Sequence, residues 1–363
     1  MKVMFVSGSY PPVRCGVGDY VGFVSANLAK QGIKAEILTS SYRGIKHSGR
    51  NPAVNPCIEK WGILNVKKAL SEILRSGAGI VHFQYPTVEY KKNMLTNVLP
   101  AVLKLIKPGI KIVQTFHEPL MGLTFFGRAR LLLNMFFSDA LIFVEKENMT
   151  TSPWYVKAVL AGKTVRYIPV ASNIPRQKAD IRVITAIRKK FAVKNKKRIF
   201  LTFGFITPVK GYEILAENVD FNKYEWIHLG GYDKNDLYQN SFVNSVIKNG
   251  IKINFTGYLS AVNTAKYLAS SGMCLFPFKE GVTDRHGTYL AAANQGVYCV
   301  AFHASKKGYF EEENTFYAAL GDINGFIDGM KRKVKKGNIK PKLPQWADIA
   351  FSHKQLYEFL LKK

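Results

Sequence analysis

Little in this chain can hold a metal or close a disulfide. It has four cysteines in 363 residues, Cys15, Cys57, Cys274 and Cys299. They are far apart and form no CxxC pair, which excludes a disulfide-stapled scaffold. Cys274 and Cys299 sit inside apolar runs and read as buried free thiols of a reducing compartment. HExxH, DxD and Cys/His clusters are all missing, so a resident metal is not expected. There is no GxxxxGK[ST] phosphate loop, and no Ser-His-Asp arrangement can be read. Met1-Lys2 runs straight into an apolar strand, so no secretory leader is expected. The longest apolar region, 120–144, is broken by Arg128, Arg130 and Asp139, which argues against a membrane-spanning helix. No repeat of 20–50 residues is present, which excludes a solenoid.

Acidic residues are scarce as well: 25 Asp+Glu stand against 52 Lys+Arg, a formal charge of +27. Such an excess implies a polyanionic partner, whether nucleic acid, an anionic membrane surface or a phosphorylated substrate. Scattered solubilising lysines give the same count. The lysines are not interleaved with an aromatic stacking platform and no reader motif is present, so nucleic acid is the weakest of these partners. With 47% apolar and 13% aromatic residues the chain is globular, and its length suggests two or three domains.

Strand-like and helical patterns alternate along both halves. Residues 2–7 form an apolar strand, and Pro11-Pro12 forces a loop before Asp19 begins a helix that stops at Gly32. Residues 34–39 are the next strand, giving a βαβ unit and a parallel sheet. Gly16-x-Gly18-x3-Gly22 is not a dinucleotide fingerprint. It lies too far beyond its strand, and Thr39-Ser40 stands where an acidic residue belongs. Further strands are expected at 80–84, 110–115 and 140–144. The 110–115 strand ends on His117 and Glu118, at the carboxyl end where parallel sheets bind ligands. His82, inside an apolar strand, reads as a satisfied core residue. Residues 123–137 mix Phe125, Phe126, Leu132 and Leu133 with Arg128 and Arg130. That stretch fits either a partly buried domain helix or a helix lying on an anionic membrane. The Lys-rich, Pro-punctuated run 176–197 reads as an interdomain linker. Beyond it the αβ pattern restarts, with strands at 198–203, 226–230, 253–256, 273–277 and 297–301 and an amphipathic helix at 346–361.

Three loops suit phosphate. Gly204 to Lys210-Gly211 follows a strand and precedes a helix, Gly16-Val17-Gly18 lies in the other half, and Arg285-His286-Gly287-Thr288 opens a downstream helix. Three such loops on two αβ halves point to a diphosphate held between domains.

With those loops in place the chain resembles a GT-B-fold glycosyltransferase of the family-4 type that builds bacterial surface glycans. The matching pieces are YPPVRCGVGDY, HFQYPTVEY, TFHEP, IPVASNIP, GFITPVKGYE, FTGYLS, PFKEGVTDRHGTYLAAANQG and WADIAFSHKQLYEFL, in order over nearly the whole length. The resemblance implies an α/β protein of two Rossmann-like domains facing across a cleft. An acceptor-binding domain would span 1–175 and a donor-binding domain 176–340, with a terminal helix, 341–363, crossing back to the first. It implies a nucleotide-diphospho-sugar as donor substrate, no cofactor, and a glycan or lipid-linked acceptor. The location would be cytoplasmic, at the inner face of a membrane. Lys210 would meet the donor diphosphate, with Gly204 in its loop and Gly16, Val17 and Gly18 approaching from the opposite wall. His117 would lie beside the donor sugar, and Gly257 and Tyr258 near the base. On their own chemistry, Glu118 could assist His117 or cap local amides, and Arg285, His286, Gly287 and Thr288 are donor-binding candidates at a helix start. Two departures stand out: Phe205 replaces an arginine common after the lysine-loop glycine, and Ala291 replaces a glutamate that contacts the ribose.

Breaking a sugar–phosphate bond puts charge on the departing diphosphate. An ammonium, an arginine and helix-end amides can stabilise it without a metal. A solvated loop lysine at Lys210, or an ion pair of Arg285 with Asp284 or Glu280, are the bland alternatives. Rival functions are a GT-B-fold sugar-nucleotide epimerase and, from a different class, a basic nucleic-acid-binding protein.

Overall fold

Runs of β-branched and aromatic residues such as KVMFV (2–6) and RIFLTF (198–203) are buried almost throughout, as strands covered on both faces must be. The structure, a computed structural model, describes residues 1–41, 44–90, 93–118, 125–146, 153–194, 196–332 and 342–363. These divide into two units, 1–171 with 344–363, and 172–343.

The first unit carries β1 (Lys2–Val6), β2 (Lys34–Ser40), β3 (Ala53–Ile58), β4 (Ile80–Tyr85), β5 (Lys111–Phe116), β6 (Ala140–Phe143) and β7 (Thr164–Tyr167). They form one parallel sheet in the order β3-β2-β1-β4-β5-β6-β7. The chain reverses direction across this sheet between β1 and β4, the position where open α/β sheets bind ligands. Four helices punctuate the strands: α1 (Gly16–Lys30), α2 (Val66–Ser76), α3 (Leu95–Ile106) and α4 (Phe125–Phe136). A short α5 (Trp154–Leu160) follows β6. α1 begins at Gly16, earlier than the Asp19 start expected, so Gly16, Val17 and Gly18 form its first turn rather than a loop.

The last helix, α12 (Trp346–Lys362), belongs to this first unit. Its Ile349, Ala350, Leu356, Tyr357 and Leu360 share one core with Val3, Phe5, Tyr20, Val21, Val24 and Leu28. The helical spacing of both sets puts them on facing stripes. Two histidines are buried beneath. Tyr20 donates to His353 Nε2 at 2.9 Å while His353 Nδ1 donates to the Ile349 carbonyl at 2.8 Å. His82 pairs with Tyr357 Oη at 2.6 Å and Thr115 Oγ1 at 2.7 Å. His82 is thus the satisfied core residue expected.

α4 packs Leu131 and Met135 against Phe116, Leu141 and Phe143. Arg130 donates to the Asn93 carbonyl and to Asn97 Oδ1, so this side chain is tied into the unit rather than offered to headgroups. Leu123 and the side chains of Phe125, Phe126 and Arg128 lie outside the described residues.

The second unit carries β8 (Arg198–Phe203), β9 (Tyr224–Leu229), β10 (Ile253–Phe255), β11 (Cys274–Phe276), β12 (Cys299–His303), β13 (Gly308–Phe310) and β14 (Thr315–Ala319). Their order is β10-β9-β8-β11-β12-β14-β13, parallel except for the antiparallel edge pair β13–β14. Here the reversal falls between β8 and β11. The helices are α6 (Ile181–Lys190), α7 (Tyr212–Asn218), α8 (Leu237–Lys248), α9 (Ala261–Ser270), α10 (Gly287–Asn294) and α11 (Ile323–Lys331). α6 corrects the linker reading of 176–197: Asp180 caps it through the Arg182 amide, and Ile187 is buried.

Candidate functional site

In the second unit the loops leaving β8 and β11 converge at the reversal point. Gly204 follows β8 with φ +106°, and a Cβ there would stand 2.7 Å from Thr288 Cγ2, so only glycine lets the loop lie against α10. A buried chain of donors fixes this turn. Trp226 Nε1 donates to Thr202 Oγ1 at 2.8 Å, Thr202 donates to His228 Nδ1 at 2.8 Å, and His228 Nε2 donates to the Gly204 carbonyl at 2.9 Å. Burial holds His228 neutral, its pKa pushed down to about 4.

Lys210 ends the short 3-10 turn Pro208–Lys210, and Gly211, at φ +63°, lets the chain pass close under the Pro277 carbonyl. The Lys210 ammonium donates to Thr288 Oγ1 at 3.2 Å and lies 3.7 Å from the centre of the Phe278 ring. Burial, with the Arg285 guanidinium adding to it, pushes its pKa down to about 7. Among the described residues no carboxylate is ion-paired with it. Arg285 stands 3.8 Å from Glu280, whose side chain is 71% exposed. An ion pair so wet and so long is weak, and a more highly charged ligand can displace it.

His286 is the N-cap of α10, but its ring is turned inward. Nδ1 accepts from the Thr283 amide at 2.9 Å and the ring packs 5.1 Å from Phe278. Burial, then Arg285 and Lys210, push its pKa down to about 3, so it adds no charge. Gly257 donates its amide to the Gly230 carbonyl at φ +71°, and Tyr258 beside it is 73% exposed. The second unit therefore presents an ammonium, a guanidinium, a hydroxyl and the open amides of α10 at one point. That combination has the charge and hydrogen-bond donors to suit a diphosphate.

In the first unit the loop after β1 meets the one after β4. Gly8 donates to Tyr90 Oη at 3.2 Å, and a Cβ on it would collide with Thr87. Ser9 donates to the Glu89 carboxylate, and Gly18 lies close enough that a Cβ would be 3.1 Å from the Ser9 backbone. His117 leaves β5 and donates Nε2–H to Gln84 Oε1 at 2.8 Å, with its ring edge-on to Tyr20 at 4.8 Å. Burial, helped by His353, pushes its pKa down to about 3, so the ring is neutral and Nδ1 carries a lone pair. Glu118 is exposed beside it.

Comparison of folds decides the architecture. Sucrose-phosphate synthase from Thermosynechococcus elongatus superposes with a TM-score of 0.75, at 16% identity over 100% of this chain and 99% of that one. HepE of Anabaena, in complex with UDP and glucose, gives 0.71 at 14% identity over 100% of both. The fold is GT-B. The catalytic domain of starch synthase IV from Arabidopsis thaliana, bound to ADP and acarbose, shares the GT-B fold at 0.70, 13% identity and full coverage of both chains. No protein-family model matches the sequence, and no curated protein matches it.

Within this GT-B chain, Gly204, Lys210, Arg285, His286, Gly287 and Thr288 cluster in the second unit, with His286 turned away from the group. Gly16, Val17, Gly18, His117 and Glu118 belong to the first. Sequence reasoning missed Phe278, His228, Ser9 and Glu89. The contact of Lys210 with Phe278 spans 68 positions and leaves no local pattern. Glu89 lies within HFQYPTVEY, where only its pairing with Ser9 distinguishes it. Among the described residues no group of three His, Cys, Asp or Glu side chains is placed to hold a metal ion, and no helix is long and apolar enough to cross a membrane.

Proposed function

We propose that the protein is a glycosyltransferase of family-4 type that moves a sugar from a nucleotide-diphospho-sugar to a glycan or lipid-linked acceptor, with retention of configuration and without a metal. The observation that carries this reading is the Lys210–Thr288–Arg285 group at the carboxyl ends of β8 and β11. Neighbours of the same fold captured with UDP and glucose, or with ADP and acarbose, support it.

As the sugar–phosphate bond breaks, charge grows on the diphosphate. The Lys210 ammonium, the Thr288 hydroxyl and the first amides of α10 stabilise that charge, and Arg285 leaves Glu280 to join them. The departing phosphate takes the proton of the attacking hydroxyl on the same face, so no protein nucleophile is needed. His117, held neutral with its Nε2–H committed to Gln84, uses Nδ1 to accept a sugar hydroxyl, and Glu118 assists. The amides of the first turn of α1, Gly16 to Gly18, are a second phosphate-suited helix start, and Gly257 and Tyr258 line the base. A lipid-linked acceptor would bring the first unit to an anionic membrane at the cytoplasmic face.

A thermal-shift panel of nucleoside diphosphates and their sugars tests the reading. A donor at ~100 times its dissociation constant stabilises the fold by about 2.7 kcal/mol. Lys210→Ala should then lower transfer by roughly a hundredfold or more. Near-normal transfer by that variant, or no shift with any nucleotide, refutes it. Conversion of the donor sugar with no acceptor present would identify an epimerase instead.

A further inference from the structure

Lys210 is a partly buried cation that, among the described residues, has no ion-paired carboxylate. Its ammonium donates to Thr288, and the like-charged Arg285 guanidinium acts on it. Left to those terms, the side chain would swing out to water, since a desolvated ammonium without compensation is costly. What faces it is the Phe278 ring, 3.7 Å from ammonium to centroid. Phe278 is 2% exposed and locked by its neighbours: edge-on to Phe276 at 5.6 Å, which is edge-on to Tyr289 at 5.5 Å, with His286 against it at 5.1 Å. Its ring therefore cannot turn away.

We propose that Phe278 is a positioning residue for Lys210: its ring face holds the ammonium over the Thr288 hydroxyl in place of a carboxylate counter-ion. The inference rests on the diphosphate reading of this site and adds the reason the lysine is ready before the ligand arrives. A carboxylate would hold Lys210 more tightly, but it would also neutralise it and repel the incoming diphosphate. An aromatic face attracts a cation through its quadrupole and brings no net charge. Lys210 thus stays fixed in place while its charge remains available for the phosphates. The groups packed around the pair are consistent with this. His286 and His228 are held neutral, Cys274 is held as a thiol by burial, and Arg285 is the second cation of the site.

The test uses the full chain and two readouts. The first needs no nucleotide: competitive acylation of the Lys210 amine as a function of pH, read by mass spectrometry, with Phe278→Leu and Phe278→Tyr beside the wild type. Phe278→Leu keeps the volume apolar and removes the ring, so the Lys210 midpoint should fall by about one pH unit, the tenfold weight of a desolvated cation–π contact. Phe278→Tyr keeps the ring and should stay near the wild-type midpoint. A midpoint that stays put or rises in Phe278→Leu overturns the proposal. The second readout is nucleotide-sugar affinity at pH 7.5, expected about tenfold weaker in Phe278→Leu and restored in Phe278→Tyr. Equal weakening in both variants overturns it too, because packing rather than the ring face would then be responsible. Should Phe278→Leu fail to fold, Phe278→Met, also without a ring, carries the same comparison. Failure of the wild type to bind any nucleotide sugar would sink the donor reading and leave the labelling result to judge Phe278.

Discussion

The low basicity of Lys210 makes donor affinity depend on pH in a calculable way. In the free protein its pKa is pushed down to about 7 by burial and by Arg285. A bound diphosphate supplies the missing anions and raises it again, so binding takes up a proton whenever the pH exceeds the free value. Well below pH 7, from about one unit down, the lysine is already charged and affinity is flat. Between pH 7 and pH 9 the charged fraction of the free protein falls from about one half to about one hundredth, and affinity should fall roughly fiftyfold, about 2.3 kcal/mol. A nucleotide-diphospho-sugar has no phosphate that titrates in this window, so the slope belongs to the protein. Isothermal titration in two buffers of different ionisation enthalpy measures both affinity and proton uptake. Lys210→Arg, charged throughout, should flatten the curve. A wild-type affinity constant from pH 7 to 9, with no proton uptake, refutes the reasoning. For folding the sign differs. The unfolded chain binds the Lys210 proton up to about pH 10.4 while the native site has lost it above 7, so this residue's contribution to stability rises with pH across that window.

The remaining predictions concern strain, burial, metals and lipid. Gly204→Ala places a Cβ 2.7 Å from Thr288 Cγ2 on a left-handed backbone, so it should cost about 1–3 kcal/mol in urea unfolding and weaken nucleotide binding; full stability would show that the turn is not held against α10. Tyr357→Phe leaves the buried His82 Nδ1 unpaired and should cost about 1–3 kcal/mol, and an unchanged urea midpoint would contradict the pairing. Transfer activity should survive EDTA; loss restored by manganese or magnesium would reveal a metal site. The wild type should sediment with anionic liposomes at low salt and be released at high salt. Because Arg130 is tied to Asn97, Arg128→Glu alone should weaken that sedimentation as much as the double variant with Arg130→Glu does; indifference to anionic liposomes would end the membrane reading.

The αβ alternation was legible because central parallel strands are apolar on both faces, and β1, β4, β5, β8, β9 and β11 all carry that signature. Edges were not. β3 contains Pro56 and β13 is three residues of partial burial, and edge strands tolerate both. α6 was hidden because its exposed lysines and arginines outweigh one buried isoleucine in a composition reading. At the site, Lys210, Arg285 and Thr288 could be read because glycine-bearing turns before helices leave a local trace. The inward turn of His286 could not, because Thr283 and Phe278 dictate it through tertiary contact.

The placement of α12 has a consequence for how the chain is made. The second unit is one continuous stretch, 172–343, whereas the first is completed only by residues 344–363, which follow it. During synthesis the later unit can therefore finish before the earlier one. Until α12 emerges, Tyr20 and His82 lack their His353 and Tyr357 partners, and the apolar face of α1 stays uncovered. Domains ordinarily mature in the order they leave the ribosome. In this chain that order can be reversed, and a first sheet with all its strands but without its α12 cover is the species that chaperones would meet.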